Sequence, residues 1–371
     1  MQFGIMFFAS AEQTVEDDRY FLLKEAAQFA DLHNFCAIWT PERHFHDFGG
    51  IFPNPSVISA ALAMITRKVQ LRAGSLVSPL HHAIRIAEEW AVVDNLSGGR
   101  AAISFGSGWN IDDFIFFPER YARRQAVMYE QIRTIRDLWQ GKSLKATNPA
   151  GKEISIRLTP PPVQPELPVW ITSSGNVETF RSAGAAGANL LTHLLGQDIL
   201  LLAEKIASYR AAREEHGHDP SRGIVSLMLH TYLGPDMESV RAEVRKPFRE
   251  YLRSAVSLEK EAARGGGAIS GGHEIEPEEI RKDHLEEMLD LAFERYFRTA
   301  SLMGTPALCM ELVHKLEGIG VDEIACLIDF GVPTQKVLQG LASLAALNDQ
   351  CSTRSALAAA QGALQEFTAN F

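Results

Sequence analysis

Two hydrophobic periods alternate along this chain. Short apolar runs, the pattern of buried strands, occupy Gln2 to Ala9, residues 36–40, Val69 to Val77, Ala101 to Gly106, Val169 to Thr172, Ala188 to Leu194, Ile224 to Leu233 and Glu323 to Ile328. Between them, apolar residues recur at helical spacing. Asp17 to His33 carries Phe21, Leu22, Ala26, Phe29 and Ala30 on one face, and Ser56 to Ile65, His81 to Leu96, 120–140, a segment from Val177, Asp198 to His216, Met237 to Leu252, Leu285 to Ala300 and Pro306 to Ile319 repeat the pattern. Ser97-Gly98-Gly99 supplies a glycine stop to the third helix. Eight strands alternating with helices predict a parallel sheet with right-handed crossovers. A closed α/β (β/α)8 TIM barrel fits this length best, with an open doubly wound sheet as the alternative.

Four stretches break the rhythm. The loop 41–55 is rich in Gly and Pro and too long for a simple turn. Gly141 to Pro168 predicts a hairpin followed by an extended crossing. Residues 255–285, after the seventh strand, hold Gly265-Gly266-Gly267 and Gly271-Gly272 and read either as a lid over the barrel mouth or as a surface loop. The Ala-rich stretch 346–371 reads as a C-terminal helix or linker, which leaves 1–345 for the barrel.

Composition narrows the class. The 371 residues are 46% hydrophobic and 22% charged, as in an ordinary globular protein with a large core. A net charge of -10 argues against a nucleic-acid-coating surface. No apolar run approaches the roughly 18 residues of a membrane span. The N-terminus has no signal-peptide pattern, and the four scattered cysteines read as reduced thiols, so a cytoplasmic location is expected.

Candidate chemistry lies where strands end. Trp39-Thr40-Pro41-Glu42-Arg43-His44-Phe45-His46 passes from apolar to polar within a few residues, and an imidazole there can exchange a proton near neutral pH. In a barrel this end joins Ser10, Ser78, Ser107-Gly108-Trp109-Asn110, His193, His230 and Asp329 at one mouth. Thr172-Ser173-Ser174-Gly175-Asn176 opens a helix that continues through Thr179, where free N–H groups and the helix dipole favour an anion such as phosphate. N-capping explains the same residues without a ligand. No metal-ligand spacing stands out: His81-His82 and His44-x-His46 are weak, and no metal is expected. There is no GxSxG elbow and no Walker loop.

With these segments in view, the chain resembles the bacterial-luciferase-like flavin monooxygenases over roughly residues 1–345. The resemblance rests on Trp39 to Phe45, on Ala87-Glu88-Glu89-Trp90-Ala91-Val92-Val93-Asp94-Asn95-Leu96-Ser97-Gly98-Gly99-Arg100, and on the 172–176 turn. It is closest to the subgroup attached to polyketide and nonribosomal peptide assembly lines, through Pro41 to His46, Leu191 to Gln197 and Phe293 to Thr299.

The resemblance implies a TIM barrel that binds reduced FMN at its C-terminal mouth, reaction with O2 at flavin C4a, and transfer of one oxygen atom at carbon or nitrogen. It implies a separate NAD(P)H:flavin reductase, a carrier-protein-bound substrate and a homodimer paired through helices 56–65 and 83–96, with no nucleic acid or membrane partner. His44 takes the active-site histidine position. Ser107, Trp109, Asn110, Ser173, Ser174, Gly175, Asn176 and Thr179 are expected around the cofactor, and Arg43, His46, Arg120, Tyr121, His193 and His230 around the substrate. Ser107 stands where luciferase has a phosphate-contacting arginine, so another base, Arg120 or Arg181, is expected to serve. A flavin- or F420-dependent dehydrogenase and a non-catalytic flavin carrier are the alternatives on the same barrel.

Overall fold

A computed structural model describes residues 1–8, 18–46, 50–264 and 282–369, and the side chains of these except 255–264, 282–285 and 354–369. In chain order the elements are β1 (Gln2–Met6), α1 (Phe21–Leu32), β2 (Ala37–Thr40), α2 (Pro55–Ile65), β3 (Gln70–Val77), α3 (Ala83–Ser97), β4 (Ala101–Gly106), α4 (Arg124–Trp139), β5 (Leu144–Thr147), β6 (Glu153–Ile156), β7 (Val169–Thr172), α5 (Val177–Ala185), β8 (Asn189–His193), α6 (Ile199–Glu215), β9 (Val225–Leu233), α7 (Met237–Arg264), α8 (Lys282–Thr299), β10 (Leu302–Gly304), α9 (Pro306–Gly318), β11 (Glu323–Leu327) and α10 (Thr334–Ala369).

The strands β1-β2-β3-β4-β7-β8-β9-β11 pair in parallel, and β11 returns to β1, so the sheet closes into the expected eight-stranded TIM barrel. The open-sheet alternative is thereby excluded. β5 and β6 form the hairpin in 141–168. β10, a three-residue strand too short to carry a sequence signal, pairs with the end of β9. The predicted lid at 255–285 lies outside the described residues apart from the helix ends that flank it, and so does Ser10. The stretch from 346 continues α10.

Strand alternation decides what faces the barrel axis. Arg72, Ser226 and Glu323, near the N-terminal ends of β3, β9 and β11, meet at the bottom. Arg72 donates to both Glu323 oxygens at 2.7 and 3.1 Å, and Ser226 Oγ donates to Glu323 at 2.5 Å. The Arg72 guanidinium lies 4.7 Å from the Trp39 ring and 4.2 Å from that of Trp170. Above this plug, Trp39 closes on Gly4 and Gly74, where an added Cβ would lie 3.0 to 3.1 Å from neighbouring atoms. The barrel floor is therefore filled by these side chains.

The Asp94 to Arg100 end of the Ala87 to Arg100 motif proves architectural. Asp94 accepts from the Val163 and Gln164 amides at 2.7 and 2.9 Å and from the Gln164 side chain at 2.6 Å, which clamps the crossing after the hairpin. Arg100 is buried and donates to Ser97 O, Val69 O, Thr66 O and Thr66 Oγ1. Gly98 is left-handed at φ 70°, as a helix C-terminal glycine requires.

Candidate active site

The alternation that turns Trp39 inward continues through Pro41 to Arg43. The Arg43 guanidinium comes to rest 4.8 Å from the Phe8 ring, after β1, and 5.0 Å from the Trp109 ring, after β4. Among the described residues no carboxylate lies within ion-pair distance of it. Burial lowers the Arg43 pKa, opposed by the charges of Asp113 and Tyr251. Asp113 is itself raised by burial, against the pull of Arg43, His44 and His46. A half-buried cation thus faces the mouth with little compensation.

Glu42 and His44 fall on the alternate side, against the end of β3. The buried Glu42 carboxylate accepts from Val77 N at 2.6 Å, meets His44 Nε2 at 3.0 Å, and is contacted by His81 Nε2. Burial pushes Glu42 up, but these hydrogen bonds outweigh it and hold the carboxyl below its usual range. Burial likewise opposes protonation of His81, yet the bond to Glu42 raises it. The three ligand atoms lie within 4.8 Å of one another, a spacing that suits a cation as well as a proton relay. Phe45, between the two histidines, has φ 62°, a strained value for a bulky residue, and its ring packs 5.7 Å from Phe116.

Two imidazoles close the far side. His193, last residue of β8, accepts from Leu195 N through Nδ1 at 3.1 Å, so its neutral form carries the proton on Nε2. Burial drops its pKa to about 4. His230, on β9, sits among Phe248, Tyr251 and Phe330 at 4.7, 4.6 and 5.6 Å. Among the described residues its buried Nε2 has no hydrogen-bond partner, and burial together with His193 drops its pKa to about 3. Phe248 and Tyr251 come from α7, which the paired ions Arg241–Glu294, Arg245–Asp290 and Arg249–Glu286 tie to α8.

The 173–176 turn forms a third side. Asn176 caps α5 by accepting from Glu178 N at 2.9 Å. Ser173 is buried, Ser174 and Asn176 are exposed and Thr179 is half-buried. Gly175 has φ 114°, and a Cβ built there would lie 3.4 Å from Lys205 Nζ and 3.5 Å from Gln197 Oε1. Between this turn and β3, Thr172 Oγ1 joins Ser75 Oγ at 2.5 Å and Ser104 Oγ at 2.6 Å.

Arg43, Trp109, His193, His230 and the 173–176 turn therefore gather at the strand ends. Others turn away. Asn110 is buried, with its amide nitrogen 2.6 Å from His46 Nε2 and donating to Asp113 at 2.9 Å. Arg120 donates to the Pro79 and His81 carbonyls at 3.1 and 2.6 Å, and Tyr121 packs under Arg124. Arg181 pairs with Glu215 at 3.2 Å. Ser107 is half-buried beside Trp109. Sequence reading passed over Glu42 as an acceptor, Ser75, Ser104 and Lys205, and weighed His81 only as a weak metal candidate. Alternation from Trp39 would have separated Arg43 from Glu42 and His44.

A profile of the luciferase-like monooxygenases matches residues 1–323. The chain belongs to the luciferase-like monooxygenase family. The oxygenase component of a flavin-dependent trigonelline monooxygenase from Acinetobacter baylyi is 25% identical over 339 residues, covering 88% of each chain. Monooxygenase RslO1 from Streptomyces bottropensis superposes with a TM-score of 0.73 at 21% identity, over 93% of this chain and 98% of that one. The oxygenating constituent of 3,6-diketocamphane monooxygenase from Pseudomonas putida, a type II Baeyer-Villiger enzyme in complex with FMN, superposes at 0.70 with 16% identity, over 93% and 96% of the two chains. These structural likenesses concern the fold. No helix among the described residues is long and apolar enough to cross a membrane.

Proposed function

We propose that this luciferase-like monooxygenase receives reduced FMN from a separate flavin reductase and oxygenates a substrate carried on a protein of a polyketide or nonribosomal peptide assembly line. The observation that carries the cofactor reading is the donor set at the mouth. Among the described residues, a guanidinium at Arg43 without an ion pair, a buried His230 Nε2 without a hydrogen-bond partner and the open backbone at Gly175 suit an anionic, phosphate-bearing aromatic ring. Reduced FMN, held there, would supply the two electrons that activate dioxygen, with one oxygen atom going to the substrate and the other leaving as water.

This chain's residues do the rest. The α5 start, with Ser174, Asn176 and Thr179, holds the phosphate. Trp109 and the Ser75–Thr172–Ser104 hydroxyls line the ring. Arg43 stabilises negative charge on the bound ring. His44, oriented by Glu42, which His81 also contacts, holds a proton at Nε2 close to the mouth. Phe8, Phe248, Tyr251 and Phe330 keep water away. The carrier-borne substrate rests on the likeness at Pro41 to His46, Leu191 to Gln197 and Phe293 to Thr299. The homodimer is supported by exposed Val57 and Met64 on α2 beside exposed Val92 and Leu96 on α3.

The test is to mix the protein with reduced FMN and then with oxygenated buffer in a stopped-flow spectrometer. Reoxidation slowed relative to free flavin, through a transient absorbance, is expected. Reoxidation at the free-flavin rate, with or without candidate acyl carrier substrates, would favour the dehydrogenase or carrier alternatives. Turnover of an acyl group on a carrier protein but not as a small thioester tests the substrate class, and light scattering tests the dimer.

A further inference from the structure

We propose that Lys205 is the cation that recognises the FMN phosphate, and that it makes this chain select FMN over unphosphorylated riboflavin. The inference rests on the reading of the 173–176 turn as the phosphate end of the site.

A phosphate at the α5 start meets helix N–H groups and neutral side chains: Ser174, Asn176 and Thr179. None of them neutralises a dianion. Arg181 is held by Glu215, and Arg120 by the carbonyls of Pro79 and His81. Arg123 pairs with Glu130 at 3.3 Å, and Arg124 donates to Gly108 O and Tyr121 O. The ammonium that stands over the turn belongs to α6. Lys205 Nζ lies 3.4 Å from the position of a Gly175 Cβ, so any larger residue at 175 would stand between the ammonium and the turn.

Lys205 is aimed there by a chain of hydrogen bonds. Gln197 Nε2 donates to His193 O at 2.6 Å and to Thr192 Oγ1 at 3.5 Å, and Thr192 Oγ1 donates to Ser173 O at 2.9 Å. This fixes the Gln197 amide, whose Oε1 accepts from Lys205 Nζ at 2.8 Å. The hydrogen-bond partner is a neutral amide, and the Asp198 carboxylate acts on the ammonium through its charge without an ion pair, so the other N–H donors stay available. One of three N–H donors is engaged, and the other two can meet phosphate oxygens. The same Gln197 links the turn after β7 to the end of β8, so phosphate binding and the His193 backbone share one scaffold.

The experiment is anaerobic titration of the full-length protein with reduced FMN and with reduced riboflavin, compared with Lys205→Met and Lys205→Arg. The wild type should bind FMN more tightly than riboflavin. Lys205→Met should weaken FMN roughly tenfold, the scale of one hydrogen bond to a charged group, and leave riboflavin unchanged. Lys205→Arg should retain most of the preference. The wild-type preference should shrink with added salt, since the site is partly exposed. A wild type that binds both flavins equally would sink the phosphate reading of the turn. A wild type that discriminates, beside a Lys205→Met variant that discriminates as well, would overturn the role of Lys205 alone. Equal loss of both flavins in the variant would mark Lys205 as structural and overturn it too.

Discussion

Two arginines in this barrel are each held between two aromatic rings, and they differ in one respect. Arg72, at the bottom, lies 4.7 and 4.2 Å from Trp39 and Trp170, and Arg43, at the mouth, lies 4.8 and 5.0 Å from Phe8 and Trp109. Arg72 has a bidentate carboxylate in Glu323 and a further acceptor in Gln70 at 2.9 Å. Arg43 has neither. The rings are the same kind of environment, so the counter-ion distinguishes them. A buried charge with its own carboxylate belongs to the scaffold. One held by rings without a carboxylate keeps its charge uncompensated at the mouth, where it is the group a bound anion would meet.

The largest expected effect tests the first half of that statement. Glu323→Gln removes the charge that compensates Arg72 while the guanidinium stays buried. Breaking such a pair costs about 3 to 5 kcal/mol, so denaturant unfolding should show a loss of that size. A loss under about 1 kcal/mol would mean that water reaches the barrel floor.

Arg43→Gln sharpens the second half. Among the described residues no partner is left unpaired, so unfolding stability should stay within about 1 kcal/mol of wild type. Binding should change instead. The reduced flavin ring is anionic near neutral pH and the oxidised ring is not. The ratio of affinities for reduced and oxidised FMN should therefore fall roughly tenfold, as when a charged hydrogen bond is lost. An unchanged ratio with a destabilised fold would make Arg43 a second Arg72.

The Glu42–His81 contact lies between these extremes, being paired yet at the mouth. Burial raises Glu42 but its hydrogen bonds bring it below the ordinary 4.5, and burial lowers His81 but Glu42 brings it above the ordinary 6.5. The Glu42 contribution is complete above pH 4.5 and is lost as pH falls through its depressed folded value. The His81 contribution is complete below pH 6.5 and is lost as pH rises through its raised folded value. Wild type minus His81→Gln stability should therefore plateau between 4.5 and 6.5 at roughly 2 kcal/mol and decline on both sides. A difference independent of pH would show that the contact is not ionic.

How much of this was legible in the sequence follows from the same physics. Strand and helix periods are local, so all eight barrel strands and their order could be read from the chain alone. Strand-end chemistry was legible as a pool: Arg43, Trp109, His193, His230 and the 173–176 turn do converge. What the pool could not show is pairing. Arg72 with Glu323 lies 251 residues apart, and Lys205 reaches Gly175 only because α5 and α6 pack side by side. The Asp94 to Arg100 motif was legible as the strongest family signal, but its clamp on Val163 and Gln164 makes it a scaffold element. The ladder of Arg241, Arg245, Arg249 and Arg253 against Glu286, Asp290 and Glu294 was written in four-residue spacing on both helices, and an i, i+4 count would have found it.

The smallest expected effect concerns His230, a mouth group whose removal should barely alter folding. Leucine at 230 keeps similar volume and forfeits edge contacts with Phe248, Tyr251 and Phe330, worth about 0.5 to 1.5 kcal/mol. It also relieves the buried, unpaired Nε2, a gain of about 1 to 3 kcal/mol. The two nearly cancel, so at pH 7 His230→Leu should unfold within about 1 kcal/mol of wild type. Acid separates them. Burial, then His193, depresses His230 from 6.5 to about 3, so the stability it contributes is present above pH 6.5 and is lost as pH falls toward 3. The leucine variant lacks this proton-linked loss and should retain more of its stability between those values. If it instead loses several kcal/mol at pH 7, the imidazole has a partner within the fold. The mouth would then be as self-sufficient as the floor, and the contrast between Arg43 and Arg72 would no longer mark where the ligand binds.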